Sequence, residues 1–271
     1  MKKYIAFIDT LGFKNKVTEV SHTRAKKTIL SFNQEIYRLW ERLNYNNDNS
    51  IHGRTFSDSF IIHTRDDSNE SLIKILNFLN DLYPISITKS DLPLRGGLSC
   101  GEFDDIPAME FDNLQKGILI GDAFIDAYLL ESSYGIKGSK LIFSDEINDK
   151  ITNLNNKYTT QHLLKIDDST NLYELKWGNI ELLTANNYEF LNKFIELATE
   201  SKWLNHHFNT LETFLINENQ EKKFEIFLHI INNIKEKNNY SDLDHFIEHF
   251  MKSEGAIYIK KSFLAFIREK L

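Results

Sequence analysis

Two aspartates stand where the punctuation of the chain would expose them. Residues 4–9, Tyr-Ile-Ala-Phe-Ile-Asp, form a short apolar run closed by Asp9, the pattern of a buried strand with an acid at its tip. Asp58 lies in Ser57-Asp58-Ser59, between two β-prone pieces of residues 52–64, which predicts a hairpin whose turn carries a carboxylate. In a β-α-β-β arrangement the end of the first strand can lie beside that turn, so two acids distant in sequence converge. Paired carboxylates with open coordination positions suit Mg²⁺ or Mn²⁺, hard ions held by one or two acids plus phosphate oxygens. Two such ions activate an attacking hydroxyl and stabilise a leaving pyrophosphate. Thr10-Leu11-Gly12-Phe13 puts a glycine just behind the acid and before helical sequence, where successive backbone N–H groups can cradle a triphosphate. Ordinary strand-end and turn aspartates, and a glycine needed only for its turn, give the same spacing. In a chain with 39 acids, spacing alone does not choose between them.

The elements that would position these residues follow from periodicity. Residues 24–43 place Ile29, Phe32, Ile36 and Leu39 on one helical face. Residues 71–83 are helical by period, with Pro84 just past the predicted end. Residues 94–100, 117–120, 141–143, 163–166 and 172–176 read as strands, and residues 123–131 as a helix. The order is β-α-β-β-α-β, then β-α-β and a closing hairpin. That predicts an α+β fold with a ferredoxin-like layout, an antiparallel sheet backed by helices on one face. From about Ala185 the pattern changes to Phe190, Phe194, Leu197, then Phe208, Leu211, Phe214, and on through Phe250, all at helical spacing. Ten of the 11 glycines precede residue 180. The division predicted is residues 1–180 as a catalytic domain and residues 185–271 as an all-helical region.

Composition narrows the class. The 271 residues are 41% hydrophobic and 26% charged with a formal net charge of -7, which fits a folded core and argues against a general nucleic-acid coat. A single cysteine, Cys100, excludes an internal disulfide framework and a zinc site built on paired cysteines. No apolar stretch of signal-peptide length precedes Asp9 and no run approaches the ~18 apolar residues of a membrane span. A soluble cytoplasmic protein is expected. His245 and His249 stand at i,i+4, but no further ligand is placed to complete a metal site.

Four motifs in order carry a resemblance. Phe7-Ile8-Asp9-Thr10-Leu11-Gly12-Phe13 resembles the first metal motif of class III nucleotidyl cyclases: phenylalanine, any residue, aspartate, then a glycine–phenylalanine pair. Phe56-Ser57-Asp58-Ser59-Phe60 resembles their second metal motif, in which the hairpin aspartate usually follows a glycine; Ser57 stands there instead. Leu94-Arg95-Gly96-Gly97 resembles the arginine–glycine strand that follows, and Gly121-Asp122-Ala123 through Leu130-Glu131 the next helix, which ends in leucine–glutamate. The likeness covers about residues 4–176. Leu11, Ser57 and Arg95-Gly-Gly make the chain most similar to the pyrimidine cyclases of bacterial Pycsar anti-phage systems, which make cyclic UMP or cyclic CMP as a signal of infection.

The resemblance implies that Asp9, Asp58 and the carbonyl of Thr10 hold two Mn²⁺ or Mg²⁺ ions, and that Leu11, Gly12 and Phe13 offer backbone N–H groups to phosphate. It implies that Arg95 pairs with the triphosphate, a task suited to a planar guanidinium. Arg54 matches the base-recognising lysine of purine cyclases, four residues before the second aspartate. Those enzymes carry an asparagine and an arginine on the helix before leucine–glutamate, acting across the dimer; here Ile125 and Leu129 occupy the positions and can do neither job. Lys140 stands where pyrimidine-cyclase relatives tend to have an arginine, and is the expected substitute cation. The expected protein is a homodimer with sites at its interface, converting a nucleoside triphosphate, UTP or CTP favoured, to a 3′,5′-cyclic nucleotide and pyrophosphate. It would bind neither nucleic acid nor span a membrane. A cyclase-like module that binds nucleotide without turnover, as sensor or scaffold, is the alternative. A palm-type nucleotide polymerase would show adjacent paired acids at the hairpin, where Asp58 supplies one.

Overall fold

The computed structural model describes residues 1–13, 22–107, 117–154, 158–163, 171–237 and 240–270. The chain divides into two compact units: Met1–Gly135 with Leu141–Leu175, and Ile136–Lys140 with Lys176–Leu271.

The first unit is built on β1 (Lys2–Thr10), α1 (His22–Arg42), β2 (Ile51–Phe56), β3 (Ser59–Thr64), α2 (Asn69–Ser90) and β4 (Leu94–Glu102). It continues through β5 (Asp104–Pro107), β6 (Gly117–Ile120), α3 (Asp122–Ser132), β7 (Leu141–Ser144), α4 (Asp145–Thr152), β8 (Thr160–Leu163) and β9 (Leu172–Leu175). Among the described residues seven strands form one sheet in the order β2-β3-β1-β4-β7-β9-β8, while β5 and β6 pair with each other in a second. The mixed α+β class predicted from sequence is the one found.

Three details differ from expectation. The sheet is mixed rather than antiparallel, because β7 joins β4 in parallel. Helices cover both faces of it, not one. A strand turns successive residues to opposite sides, and a Cβ on Gly96 would meet Tyr83 of α2 whereas one on Gly97 would run into the Ala127 carbonyl of α3. Tyr4, Ala6 and Ile8 are buried on the first side, and Ile5 joins Ile61, Phe103, Ala123 and Ala127 in a core cluster on the second. Finally, α2 does not stop at Pro84 but runs through it to Ser90. Proline in a helix interior costs ~3 kcal/mol. Eleven of the helix's residues are buried, among them Leu82, Tyr83 and Ile87 around the proline, and their burial at ~1.5–3 kcal/mol per large apolar side chain outweighs the penalty. The helix ends instead at Asp91, whose left-handed backbone (φ 56°) returns its N–H to the Ser86 carbonyl. Of the strand predicted over 163–166, only Leu163 falls within the described residues, at the end of β8.

The second unit is helical: α5 (Ile180–Glu200), α6 (Asn205–Leu215), α7 (Gln220–Glu236), α8 (Tyr240–Lys252) and α9 (Ile257–Lys270). Non-helical backbone at residues 185–188 breaks α5 into two pieces. Asn179 and Asn219 cap α5 and α7, their side chains accepting from the N–H groups of Leu182 (3.0 Å) and Lys222 (2.9 Å). Rings fill the centre: Trp203 lies 4.7 Å from Phe246, and Phe263 4.7 Å from Phe250, measured between centroids. Residues Ile136–Lys140 are sewn into this unit. Gly138 N–H donates to His206 Nδ1 at 3.0 Å, Ser139 N–H to Thr210 Oγ1 at 2.8 Å, and the Trp177 indole to the Ser139 carbonyl at 2.9 Å. No helix among the described residues is long and apolar enough to cross a membrane.

The close approach of α3 to β4 depends on Gly97, which has no room for a side chain. Gly97→Ala is therefore expected to push α3 from the sheet at a cost of about 1–3 kcal/mol, read as a fall in Tm of roughly 2–4 °C per kcal/mol. An unchanged Tm would mean that the helix can shift freely.

Candidate active site

Register brings the sequence-predicted acids together. Asp9 pairs with Ser59 of β3 on one side and with Arg95 of β4 on the other, so its side chain shares their face, the one covered by α3. The tight β2–β3 connection, Ser57-Asp58, closes beside the end of β1, and Thr10 N–H donates to the Asp58 carbonyl at 3.2 Å. Ser57 sits at φ 50°, a left-handed conformation that glycine adopts without strain. That is the physical reason a glycine would suit the position.

Asp9 is held rather than free. The Ser59 hydroxyl donates to its Oδ1 at 2.8 Å. Withdrawal from water pushes its pKa up to about 6, with Glu131 and Asp58 adding to the rise while Ser59 and Arg95 oppose it. The donor set of Asp9, Asp58 and the Thr10 carbonyl is all hard oxygen, and two acids with open positions fit Mg²⁺ or Mn²⁺. Among the described residues no cluster of three or more His, Cys, Asp or Glu is grouped to hold a metal, so any ion here draws the rest of its coordination from elsewhere.

The remaining predicted residues are distributed as follows. The Leu11 amide donates to the Pro93 carbonyl at 2.8 Å. Gly12 turns the chain at φ 77°, and Phe13 is the last described residue before 22. Arg95 is engaged by Glu131 at the end of α3: its Nε donates to Oε1 at 2.8 Å and its Nη2 reaches the same oxygen. Glu131 is itself buried. Arg54 is forked onto Asp105 of β5, Nε to Oδ2 at 3.2 Å and Nη2 to Oδ1. The His63 ring lies 3.2 Å from the same Oδ2, and burial pushes its pKa down. Lys140 belongs to the helical unit, where its buried ammonium donates to Thr213 Oγ1 at 2.7 Å. Ile125 and Leu129 are 57% and 41% exposed on α3, apolar groups open to solvent.

Sequence reading missed Ser59, Asp105 and His63 as partners. Ser59 could have been found, since strand alternation from Phe60 fixes its face. Asp105 could not, because nothing in its neighbourhood predicts β5.

No family model matches this sequence, and no curated protein matches it. Solved structures do. The chain is 18% identical, at a TM-score of 0.50, to the catalytic core of a rhodopsin–guanylyl cyclase with converted specificity, solved in complex with ATPαS; the match covers 64% of this chain and 94% of that one. The dimeric guanylyl cyclase domain of the RhoGC fusion protein from the aquatic fungus Blastocladiella emersonii matches at 18% identity and TM-score 0.50, over 64% of this chain and 93% of the other. The chain has the fold of a class III nucleotidyl cyclase domain. Within that fold, the end of β1 and the β2–β3 turn are the places at which Asp9 and Asp58 stand.

The state of Asp9 has a consequence for stability. Its folded pKa of about 6 lies above the ordinary 3.8, so its contribution is fully present below about pH 4 and is lost as pH rises through 6. In metal-free buffer at pH 7, Asp9→Asn should stabilise the protein by about 1–2 kcal/mol, allowing for screening at a partly solvated site. The same variant should flatten the fall in Tm between pH 4 and 6. A variant less stable than the parent at pH 7 would make Asp9 a structural acid.

Proposed function

We propose that this protein is a metal-dependent nucleotidyl cyclase that converts a nucleoside triphosphate, UTP or CTP favoured, into a 3′,5′-cyclic nucleotide and pyrophosphate. One observation carries the reading: Asp9, desolvated and close enough to Asp58 to feel its charge, stands at the end of an interior strand of a cyclase-type sheet. A divalent ion held by Asp9, Asp58 and the Thr10 carbonyl would lower the pKa of the ribose 3′-hydroxyl and neutralise the triphosphate. The chain's own residues do the positioning. Ser59 fixes the Asp9 rotamer, Gly12 turns the backbone that follows it, and Arg95 adds a guanidinium held level with Asp9 by Glu131. In-line attack on the α-phosphorus then needs little beyond orientation and charge stabilisation. The resemblance to Pycsar cyclases gives the product a role as a second messenger of phage infection in the cytoplasm.

A homodimer with sites at its interface belongs to the same reading. Ile118 and Ile120 on β6, with Ile125, Tyr128 and Leu129 on α3, are exposed apolar side chains of one unit, the kind of surface a partner covers. Three observations favour the second reading, a cyclase-like nucleotide binder without turnover. The Leu11 amide is taken by Pro93, Arg95 is committed to Glu131, and Ile125 and Leu129 lack polar groups.

Incubating the protein with each of ATP, GTP, CTP and UTP plus Mn²⁺, with mass identification of products, separates the two. A cyclic mononucleotide is expected, with turnover lowered at least ~100-fold by Asp9→Asn or Asp58→Asn. Unchanged nucleotide with measurable binding would establish the second reading. Leu129→Asp is expected to shift the protein toward monomer in light scattering and to lower turnover in parallel; a fully active monomer would remove the interface from the mechanism.

A further inference from the structure

The join from α3 to β7, residues 133–140, is longer than the roughly 2–6 residues that usually connect a helix to a strand. Its second part, Ile136–Lys140, belongs to the helical unit. A single stripe of α6 holds it there. His206, Thr210 and Thr213 stand at i, i+4 and i+7, on one face of the helix. Each takes one group of the segment in turn: Gly138 N–H goes to His206 Nδ1, Ser139 N–H to Thr210 Oγ1 and the Lys140 ammonium to Thr213 Oγ1. Ser139, Lys140, Thr210 and Thr213 are all buried, and buried donors are costly to leave unpaired. Space fixes the segment as well. Gly138 lies at φ 105°, and a Cβ on it would stand 3.1 Å from the Asn209 Cβ. Neither the conformation nor the gap admits a side chain.

Both ends of this segment run into the elements that hold Arg95. Lys140 is followed directly by Leu141, the β7 residue that pairs in parallel with Gly96, next to Arg95 on β4. At the other end only Tyr134 and Gly135 separate Ile136 from Ser133, whose N–H still donates to the Leu129 carbonyl at 2.9 Å. That bond closes the last turn of α3, the turn that carries Glu131. Glu131 in turn accepts from Arg95 Nε at 2.8 Å. The chain has little slack on either side.

We propose that His206, Thr210 and Thr213 of α6 are positioning residues for the candidate active site. By fixing residues 136–140 they set the end of α3 and the start of β7, and through these the Arg95–Glu131 pair in register with Asp9. The helical unit is then a working part of the site's geometry. The consequence for turnover rests on the cyclase reading above; the consequence for α3 does not.

Hydrogen exchange of the full chain, read by mass spectrometry, tests the structural half. Gly138→Ala and the milder Thr210→Val are expected to speed exchange in α3 at least ~tenfold while leaving β2, β3 and α2 unchanged. Thr210→Ser keeps the hydroxyl and should stay within about twofold of the parent. Asn219→Ala removes the cap of α7 without touching the segment, so it should lower Tm and leave α3 as it was. Unchanged exchange in α3 for both Gly138→Ala and Thr210→Val overturns the proposal, and so does equal loosening by Asn219→Ala. Turnover with Mn²⁺ tests the other half. Because a displacement of about 1 Å can cost ~100-fold in rate, kcat/KM should fall at least ~tenfold in Gly138→Ala and Thr210→Val and recover in Thr210→Ser. A loosened α3 with full turnover would separate the segment from the site and overturn the proposal. If the parent protein turns over no triphosphate, the cyclase reading fails and the exchange comparison alone decides.

Discussion

A carboxylate withdrawn from water at the end of an interior strand sets the terms for the rest of the first unit. Asp9 is desolvated because β3 and β4 flank it and α3 lies over its face of the sheet. Leaving a charge in such a place is unfavourable, and the neighbours reflect that. Ser59 donates to it, and Arg95 supplies positive charge from the opposite strand. Arg95 in turn is balanced by Glu131, and truncating one member of such a buried pair typically costs on the order of 3–5 kcal/mol, because the other is stranded. The site is thus a chain of compensations running from a hairpin turn to the end of a helix.

Charge is sorted across the same face. The whole chain is acidic at -7, yet a cavity of about 340 Å³ on the first unit gathers Lys3, Arg54 and Arg65 around Asp105. A cleft of one sign concentrates ions of the other even when the net charge of the protein opposes them. Gly97 lets α3 lie close against β4 on this face.

The helical unit follows a different logic. Its core is aromatic, and several of its polar side chains bond within it. Asn209 bonds the carbonyls of Asn205 and Glu254 through its amide nitrogen and receives Ala256 N–H at its oxygen. Lys140 and Lys223 end on Thr213 and on the Ile216 carbonyl. Burial pushes His207 down to about 4, keeping it neutral among Phe194 and Trp203. The short segment Ile136–Lys140 is part of this unit by hydrogen bonding although in sequence it follows α3 and precedes β7 of the other.

What was legible in the sequence was local. Apolar runs, helical spacing and turn chemistry gave β1, the β2–β3 hairpin, α1, α3 and the helical character of residues 185–271, because each rests on residues a few positions apart. The two acids were legible as well, since strand-end and turn positions are signalled by their immediate neighbours and by the motif around them. Pro84 misled for the same reason: its local preference is to end a helix, and only the burial of α2 over its whole length overrides that. The tertiary structure alone decided which groups meet. The parallel pairing of β7 with β4, the covering of both faces, Arg95 on Glu131, Arg54 on Asp105 and Lys140 on Thr213 all join residues far apart in the chain. Such contacts are fixed by sheet register and by the space left between packed elements, and neither is encoded in the spacing of neighbouring residues.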